Sequence, residues 1–244
     1  MEKIALVTGA SRGIGRATAK ELARRGWRVC INYHQRQDCA RSLLEEITAE
    51  GGCAMISQAD VKDRAQVEKT AETVRKNFGD ISLLVNTAGI SRQGLFQDVG
   101  EETWREMFAV NVDGAFHAVQ AVLPAMLRAH HGSIVNISSI WGLRGASCEV
   151  AYACTKAAIV GLTRSLAAEV APSGIRVNCV APGVICTDML REVGEEYVPQ
   201  LTEETPVGRL GTPEDIARAV AFFADEENSF ITGQILTADG GFIL

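Results

Sequence analysis

An apolar run, Ile4-Ala5-Leu6-Val7, leads straight into Thr8-Gly9-Ala10-Ser11-Arg12-Gly13-Ile14-Gly15, after which Ile14, Thr18 and Leu22 take up helical spacing. No other stretch constrains the fold as tightly. A buried strand that turns through glycines into a helix brings bare main-chain N–H groups and the positive end of the helix dipole to one point. That arrangement suits a pyrophosphate. A glycine triplet alone is a weak signal, but between a strand and a helix it has a mechanism. The strand is apolar throughout rather than alternating, so both its faces are expected to be covered, as in a parallel sheet flanked by helices.

The pattern then repeats. Strand-like segments at Arg28–Tyr33, Cys53–Ala59, Ile81–Val85, Ser133–Ile137, Ile175–Val180 and Gln234–Leu236 alternate with helical stripes. The stripes are Leu43/Leu44/Ile47, Val67/Ala71/Val74/Phe78, Ile159/Leu162/Leu166/Val170 and Ile216/Val220/Phe223, with one long helix from Trp104 to about Ala129 that bends near Asn111. About seven strands and six helices in alternation predict an α/β fold. The sheet is doubly wound and parallel, a Rossmann fold. A chain of 244 residues fits one large domain or two small ones. Candidate cofactor residues run unbroken from Gly9 to Thr187, which favours a single domain over residues 1–244. The least regular stretch, 186–208, is acidic, carries Pro199 and Pro206, and follows a strand's carboxyl end, so it is read as a substrate lid.

Composition narrows the partners. The net charge of −6 argues against nucleic acid and anionic membrane surfaces. The longest stretches without Asp, Glu, Lys or Arg, Gly114–Leu127 and Ala129–Leu143, are too short to span a bilayer, and the amino terminus does not read as a signal peptide. The seven cysteines are odd in number and lack C-x-x-C spacing, which predicts reduced thiols in a cytoplasmic protein, mostly filling the core, with no metal site.

The second strand ends Ile31-Asn32-Tyr33-His34-Gln35-Arg36, and no acid follows until Asp38. In a dinucleotide site a carboxylate about 20 residues beyond the glycine loop holds the adenosine ribose hydroxyls. Its absence, with Arg12, His34 and Arg36 nearby, favours a ribose 2′-phosphate and therefore NADP(H) over NAD(H). Arg36 and Asp38 also read plainly as a solvated charge and a helix cap.

Tyr152 and Lys156, at i and i+4, share one face of a helix. Ser138-Ser139 follows the strand that ends at Ile137, thirteen residues before Tyr152 counted from Ser139. Together with the glycine loop, Asp60-Val61, Asn86-Thr87-Ala88-Gly89, Asn111, Pro182-Gly183 and Asp239-Gly240-Gly241, this order resembles the short-chain dehydrogenase/reductase family over essentially the whole chain, Thr8 to Gly241.

The resemblance implies roles. Tyr152 is the general acid that protonates a carbonyl oxygen, Ser139 hydrogen-bonds that oxygen, and Asn111 anchors a water that relays protons to Lys156. Lys156 also holds the nicotinamide ribose. At roughly 4–5 Å and an effective dielectric of about 20, its charge favours phenolate by about 3–4 kcal/mol. Cofactor contacts fall on Gly9, Ser11, Arg12, Gly13, Ile14 and Gly15, on Asn32 and His34, on Asp60 and Val61, and on Asn86, Ala88 and Gly89. They continue through Tyr152 and Lys156 to Pro182, Gly183, Ile185 and Thr187. Thr87 stands where the family usually has a second Asn, which leaves one cross-strand polar contact open.

Within the family, Val7 to Gly15, Asn178 to Gly183, Arg209-Leu210-Gly211 and Ile231-Thr232-Gly233 resemble bacterial 3-oxoacyl-acyl-carrier-protein reductases. That resemblance implies NADPH-dependent reduction of a 3-oxoacyl thioester in fatty acid synthesis, acyl carrier protein as a partner, and a homotetramer built from the helices near Trp104 and Tyr152 and the last strand. Basic residues beside the active-site entrance serve carrier docking in that subgroup. Here those places hold His130 and Ser173, with Arg128 and His131 close by. Two readings stand beside this one. The first is a dehydrogenase for another ketone or secondary alcohol, such as a steroid, sugar or polyol. The second is a non-catalytic nucleotide sensor, which should show a broken Ser/Tyr/Lys/Asn set, and this chain keeps all four. Trp141 either narrows the pocket or packs beneath a loop. Glu149 either disfavours the Tyr152 phenolate from a buried position or is a surface charge.

Overall fold

The computed structural model describes residues 2–188, 190 and 197–243. Seven parallel strands form one sheet in the order β3-β2-β1-β4-β5-β6-β7. They are β1 (Ile4–Thr8), β2 (Arg28–Tyr33), β3 (Cys53–Gln58), β4 (Leu83–Asn86), β5 (Gly132–Ile137), β6 (Ile175–Pro182) and β7 (Ile235–Ala238). The main helices are α1 (Gly13–Arg24), α2 (Gln37–Ala49), α3 (Arg64–Asn77), α4 (Glu101–Phe108), α5 (Gly114–Ala129), α6 (Trp141–Arg144), α7 (Val150–Val170), α8 (Val198–Glu203) and α9 (Pro213–Ala224).

The apolar strands are apolar because each face has its own core. Ala5 and Val7 of β1 join Leu22, Leu43 and Val220 on the side of α1, α2 and α9. Ile4 and Leu6, one position out of phase, join Val74, Val122, Met126 and Ala167 on the side of α3, α5 and α7. A strand with period-two alternation would leave one of these faces polar.

The topology places the site. Strand order runs outward from β1 to β3, then returns to β4 on the other side of β1, with Thr8 registered against Asn86. At such a switch the connecting chains leave in opposite directions and open a crevice at the carboxyl ends of the strands.

Three expectations change. First, the long helix at 104–129 is two helices joined by a π-helical segment, Ala109–Asp113, centred on Asn111. Second, α6 and α8 are additional; at four and six residues they are too short for a periodic stripe to show. Third, among the cysteines only Cys30 and Cys179 are buried, while Cys53, Cys148, Cys154 and Cys186 are exposed. Cys30 and Cys179 lie on inner strands, where burial pushes the thiols up to about 12 and about 11. Cys53 sits on the edge strand β3, and Cys154 lies on the outer face of α7. Of the expected lid, residues 189 and 191–196 lie outside the described residues. The later part forms α8 and returns to the body where the Val207 N–H donates to the Gly240 carbonyl at 3.2 Å. No described helix is long and apolar enough to cross a membrane.

Candidate active site

Two serines end β5, and their hydroxyls have different jobs. Ser138 Oγ donates to the Lys156 carbonyl at 2.8 Å, which ties the loop to α7. Ser139 Oγ accepts the Trp141 N–H at 3.2 Å and stands on the side of Tyr152, where it favours the ionised phenol. Ser139 is the serine that keeps the thirteen-residue step to Tyr152. Tyr152 and Lys156 lie on the inner side of α7, both nearly enclosed. Lys156 Nζ donates to the Ile137 carbonyl at 3.0 Å and stands 5.6 Å from the centre of the Tyr152 ring. Gly142 lets α6 pack closely on α7, because a Cβ there would lie 2.6 Å from the Lys156 carbonyl carbon.

Asn111 is clasped from both sides. Its Oδ1 accepts the Ile90 N–H at 2.8 Å, and its Nδ2 donates to the Ile90 carbonyl at 2.9 Å and to Thr155 Oγ1 at 3.0 Å. The amide thus locks the π segment to the chain after β4 and to α7. Both amide hydrogens are taken, so a relay water could meet this side chain only at the second lone pair of Oδ1. Gly89 faces the same point: a Cβ there would lie 3.3 Å from Asn111 Oδ1 and 3.4 Å from Lys156 Nζ. Sequence reasoning missed Thr155, although it lies three residues from Tyr152 on the same helical face.

Burial governs the electrostatics. It pushes the Tyr152 phenol above its ordinary value; the charge of Glu149 pushes the same way, and the hydrogen bond with Ser139 opposes both. Burial also draws Lys156 down from 10.5 to about 8. Each group is driven toward its uncharged form. The lowering of Tyr152 expected from Lys156 is therefore outweighed in the protein by desolvation.

The glycine loop sits at the carboxyl ends of β1 and β4. Gly9 has φ +63°, and a Cβ there would lie 2.8 Å from Ala88 Cα. At Gly15 a Cβ would lie 2.5 Å from the Gly9 carbonyl and 2.7 Å from Thr87 Oγ1. Both glycines are thus required by chain packed on chain, before any ligand is considered. Thr87 supplies the cross-strand contact left open, since its hydroxyl donates to the Thr8 carbonyl and its N–H to Thr8 Oγ1 at 3.1 Å. Asn32 is buried behind the loop, where it accepts the Gly9 N–H at 3.3 Å and donates to Ala59 O at 3.2 Å.

Two features fit a dinucleotide here. No side chain caps the amino end of α1, and its first turn carries no acid, so its N–H groups face the crevice as an anion site. Asn86 donates to Asn136 Oδ1 at 2.9 Å, while its own buried Oδ1 is without a protein partner.

A sequence model of the family described as enoyl-(acyl carrier protein) reductase, a branch of the short-chain dehydrogenase/reductases, matches residues 9–243. The chain belongs to the short-chain dehydrogenase/reductase family. It is an NADP(H)-dependent oxidoreductase acting on CH–OH and C=O groups. It is 41% identical over 241 residues to a 3-oxoacyl-(acyl-carrier-protein) reductase of Staphylococcus epidermidis, with 99% of each chain covered. It is 42% identical over 241 residues to the protein of that name from Staphylococcus aureus, covering 99% of this chain and 98% of the other. With that of Escherichia coli it shares 42% over 239 residues, covering 98% and 96%.

The remaining positions singled out from the family pattern are dispersed around the crevice. Ser11 is buried in the loop, and Ile14 packs on the core. His34 and Asp60 face each other at 3.6 Å, and Val61 wedges against Gly114 at the start of α5. Arg12 lies 3.5 Å from Asp188, and Arg36 pairs with Asp38 through two contacts of 3.3 Å. Pro182 O accepts the Ile140 N–H at 3.0 Å, which links the end of β6 to the Ser139 loop. Gly183 is pressed against Asp239, Ile185 bridges to Gly211, and Thr187 faces Gly13. Trp141 packs against the cluster of Met107, Ala151 and Tyr152 and meets Phe242 edge-on, with ring centres 5.9 Å apart.

His130 and Ser173 are placed differently from expectation. His130 ends α5 just before β5, and Ser173 precedes β6, so both stand at the amino ends of strands. Tyr152 lies at the carboxyl ends, so within one chain neither residue flanks the entrance. The reason is the topology: helices α5 and α7 run antiparallel to the strands they cover and carry these residues to the far end of the sheet.

Proposed function

We propose that the protein reduces the 3-keto group of 3-oxoacyl thioesters, carried by acyl carrier protein or coenzyme A, to the 3-hydroxyacyl form in fatty acid synthesis. The observation that carries the chemistry is the enclosed Ser139–Tyr152–Lys156 group at the carboxyl edge of the sheet, beside an apolar wall of Ile90, Trp104, Met107 and Trp141. The substrate class rests on full-length relatives named as 3-oxoacyl-(acyl-carrier-protein) reductases.

When bound, NADPH supplies the hydride. Ser139 and Tyr152 hold the ketone oxygen, and Tyr152 transfers its hydroxyl proton to that oxygen as the carbonyl carbon is reduced. The resulting phenolate is balanced by Lys156, whose ammonium returns a proton. Asn111 keeps the path between Lys156 and the bend in place through Ile90 and Thr155. The unpaired Asn86 Oδ1 and the open end of α1 support dinucleotide binding, and Arg12 at the loop supports a 2′-phosphate.

The test of substrate class follows NADPH absorbance with an acetoacetyl thioester beside steroid, sugar and quinone panels. Turnover of the thioester well above the panels is expected, and none would favour a different ketone. For the cofactor, Arg12→Ala should weaken NADPH about 10-fold or more, the size of a charged hydrogen bond, and NADH only slightly. Equal losses in the two Kd values would remove Arg12 from the 2′-phosphate site. Assembly as a homotetramer belongs to the same reading, and sedimentation equilibrium tests it.

A further inference from the structure

A line of buried hydrogen bonds runs from the middle of α7 across the sheet to the crevice, and its chemistry allows one direction only. Thr163 Oγ1 lies 2.8 Å from the Ile159 carbonyl oxygen. A carbonyl carries no hydrogen, so the hydroxyl must donate. Its only hydrogen is then committed, and Thr163 must accept from Asn136, 2.9 Å away on β5. The Asn136 atom on that side is therefore Nδ2, which turns its Oδ1 toward Asn86 on β4, again at 2.9 Å. By the same step, the Asn86 atom that meets Asn136 is Nδ2. The strand register supports the contact, because Asn86 and Asn136 are paired across β4 and β5 and their side chains leave the sheet on one face. Asn136 and Thr163 are fully enclosed, and Asn86 nearly so.

The line ends at Asn86 Oδ1, which is buried and has no partner among the described residues. A buried acceptor without a donor is costly, and native structures seldom keep one. Its place in the fold says which donor fits. Asn86 closes β4, the central strand of seven, in register with Thr8 at the switch point. Arg12, His34 and Asp60 follow β1, β2 and β3 on one side of it, while Ser139 follows β5 and Tyr152 and Lys156 stand on α7 on the other. A dinucleotide in such a crevice brings its pyrophosphate and riboses between its two ends. Ionised phosphate oxygens only accept, so the group that can donate to Asn86 Oδ1 is a ribose hydroxyl.

We propose that Asn136 and Thr163 are positioning residues for the cofactor: their one-way line of hydrogen bonds fixes the Asn86 amide so that its oxygen is left to accept a ribose hydroxyl. This role deepens the reading of Asn86 as a dinucleotide contact and does not depend on which ketone is reduced. Without the Thr163 hydroxyl the Asn136 amide loses its fixed end, both amides are free to turn over, and a turned Asn86 no longer offers the acceptor.

Fluorescence titration of NADPH and of NADH, with thermal melting of the ligand-free protein alongside, tests this. Thr163→Val removes the hydroxyl and keeps the shape. It should weaken both cofactors alike, by about 10-fold, the size of one hydrogen bond. Thr163→Ser keeps the hydroxyl and should restore Kd values close to those of the native protein. In an Asn86→Ala background, which already lacks the acceptor, Thr163→Val should add nothing to the loss of binding. A purely structural Thr163 would instead lower the melting temperature and change Kd by the same factor in both backgrounds. Three results overturn the assignment: unchanged Kd values in Thr163→Val, losses that multiply with those of Asn86→Ala, or a loss confined to NADPH. Normal binding of both cofactors by Asn86→Ala alone would remove Asn86 itself from the site, a separate failure.

Discussion

Replacing Tyr152 with phenylalanine is expected to lower kcat for thioester reduction by about 10³-fold, while NADPH binds with a nearly unchanged Kd. A positioned general acid contributes about 10²–10⁴-fold. Tyr152 is the enclosed hydroxyl that meets Ser139 beside Lys156, and burial with Glu149 holds it in the proton-donating form. The phenylalanine ring keeps the packing against Met107, Ala151 and Trp141, so the pocket should stand. Stability should therefore change by about 1 kcal/mol or less, the size of one polar contact. Single-turnover NADPH oxidation, read beside NADPH fluorescence titration, separates chemistry from binding. Near-normal turnover would show that another group delivers the proton.

Lys156→Met is expected to act in opposite directions on activity and stability. The ammonium that balances the phenolate is lost, so kcat should fall by about 10²-fold or more, as when one preorganised electrostatic contact is removed. Stability at neutral pH should rise. Burial draws Lys156 from 10.5 to about 8, which at about 1.36 kcal/mol per unit corresponds to about 3 kcal/mol of strain in the charged form. The lost bond to the Ile137 carbonyl offsets about 1 kcal/mol, leaving a gain of about 2 kcal/mol.

The pH dependence carries a sign. In the native protein the folded state releases this proton near 8 and the unfolded chain only near 10.5, so the unfolded state binds more protons between those values. This contribution therefore destabilises fully below about 8 and fades as pH rises toward 10.5. The variant should lose that rise. Urea midpoints at pH values below and above this window measure it, and a less stable variant at neutral pH would show that the contacts of Lys156 outweigh its desolvation.

Much of the fold was legible because of a single property. Strands covered on both faces are apolar almost throughout, and Ile4–Val7 and Leu83–Val85 are written that way. The shared face of Tyr152 and Lys156 was legible because helical spacing places them on one side of α7, and the thirteen-residue step singled out Ser139 as their candidate partner. Other features were misread for identifiable reasons. A lone cysteine carries no sign of which face it occupies, so the seven were expected mostly inside, whereas Cys53, Cys148, Cys154 and Cys186 are exposed. His130 and Ser173 were placed by analogy at the entrance, and only the direction of α5 and α7 shows them at the far end of the sheet.

The glycine loop marks the division most clearly. The sequence by itself determined that a strand, a tight turn and a helix amino terminus meet there, because only glycine tolerates such backbone and only apolar runs survive between two helical layers. The tertiary structure decided why each glycine is needed: Gly9 and Gly15 give way to Ala88, Thr87 and the loop's own backbone, residues about 70 or more positions away or folded back on themselves. It likewise decided that Asn111 is gripped by Ile90 and Thr155, and that Gln93 is bonded to Glu149 across two loops. Local spacing sets which face of an element a residue occupies. What that face meets depends on how the elements pack, and the charge and hydrogen bonds around Tyr152 are settled only there.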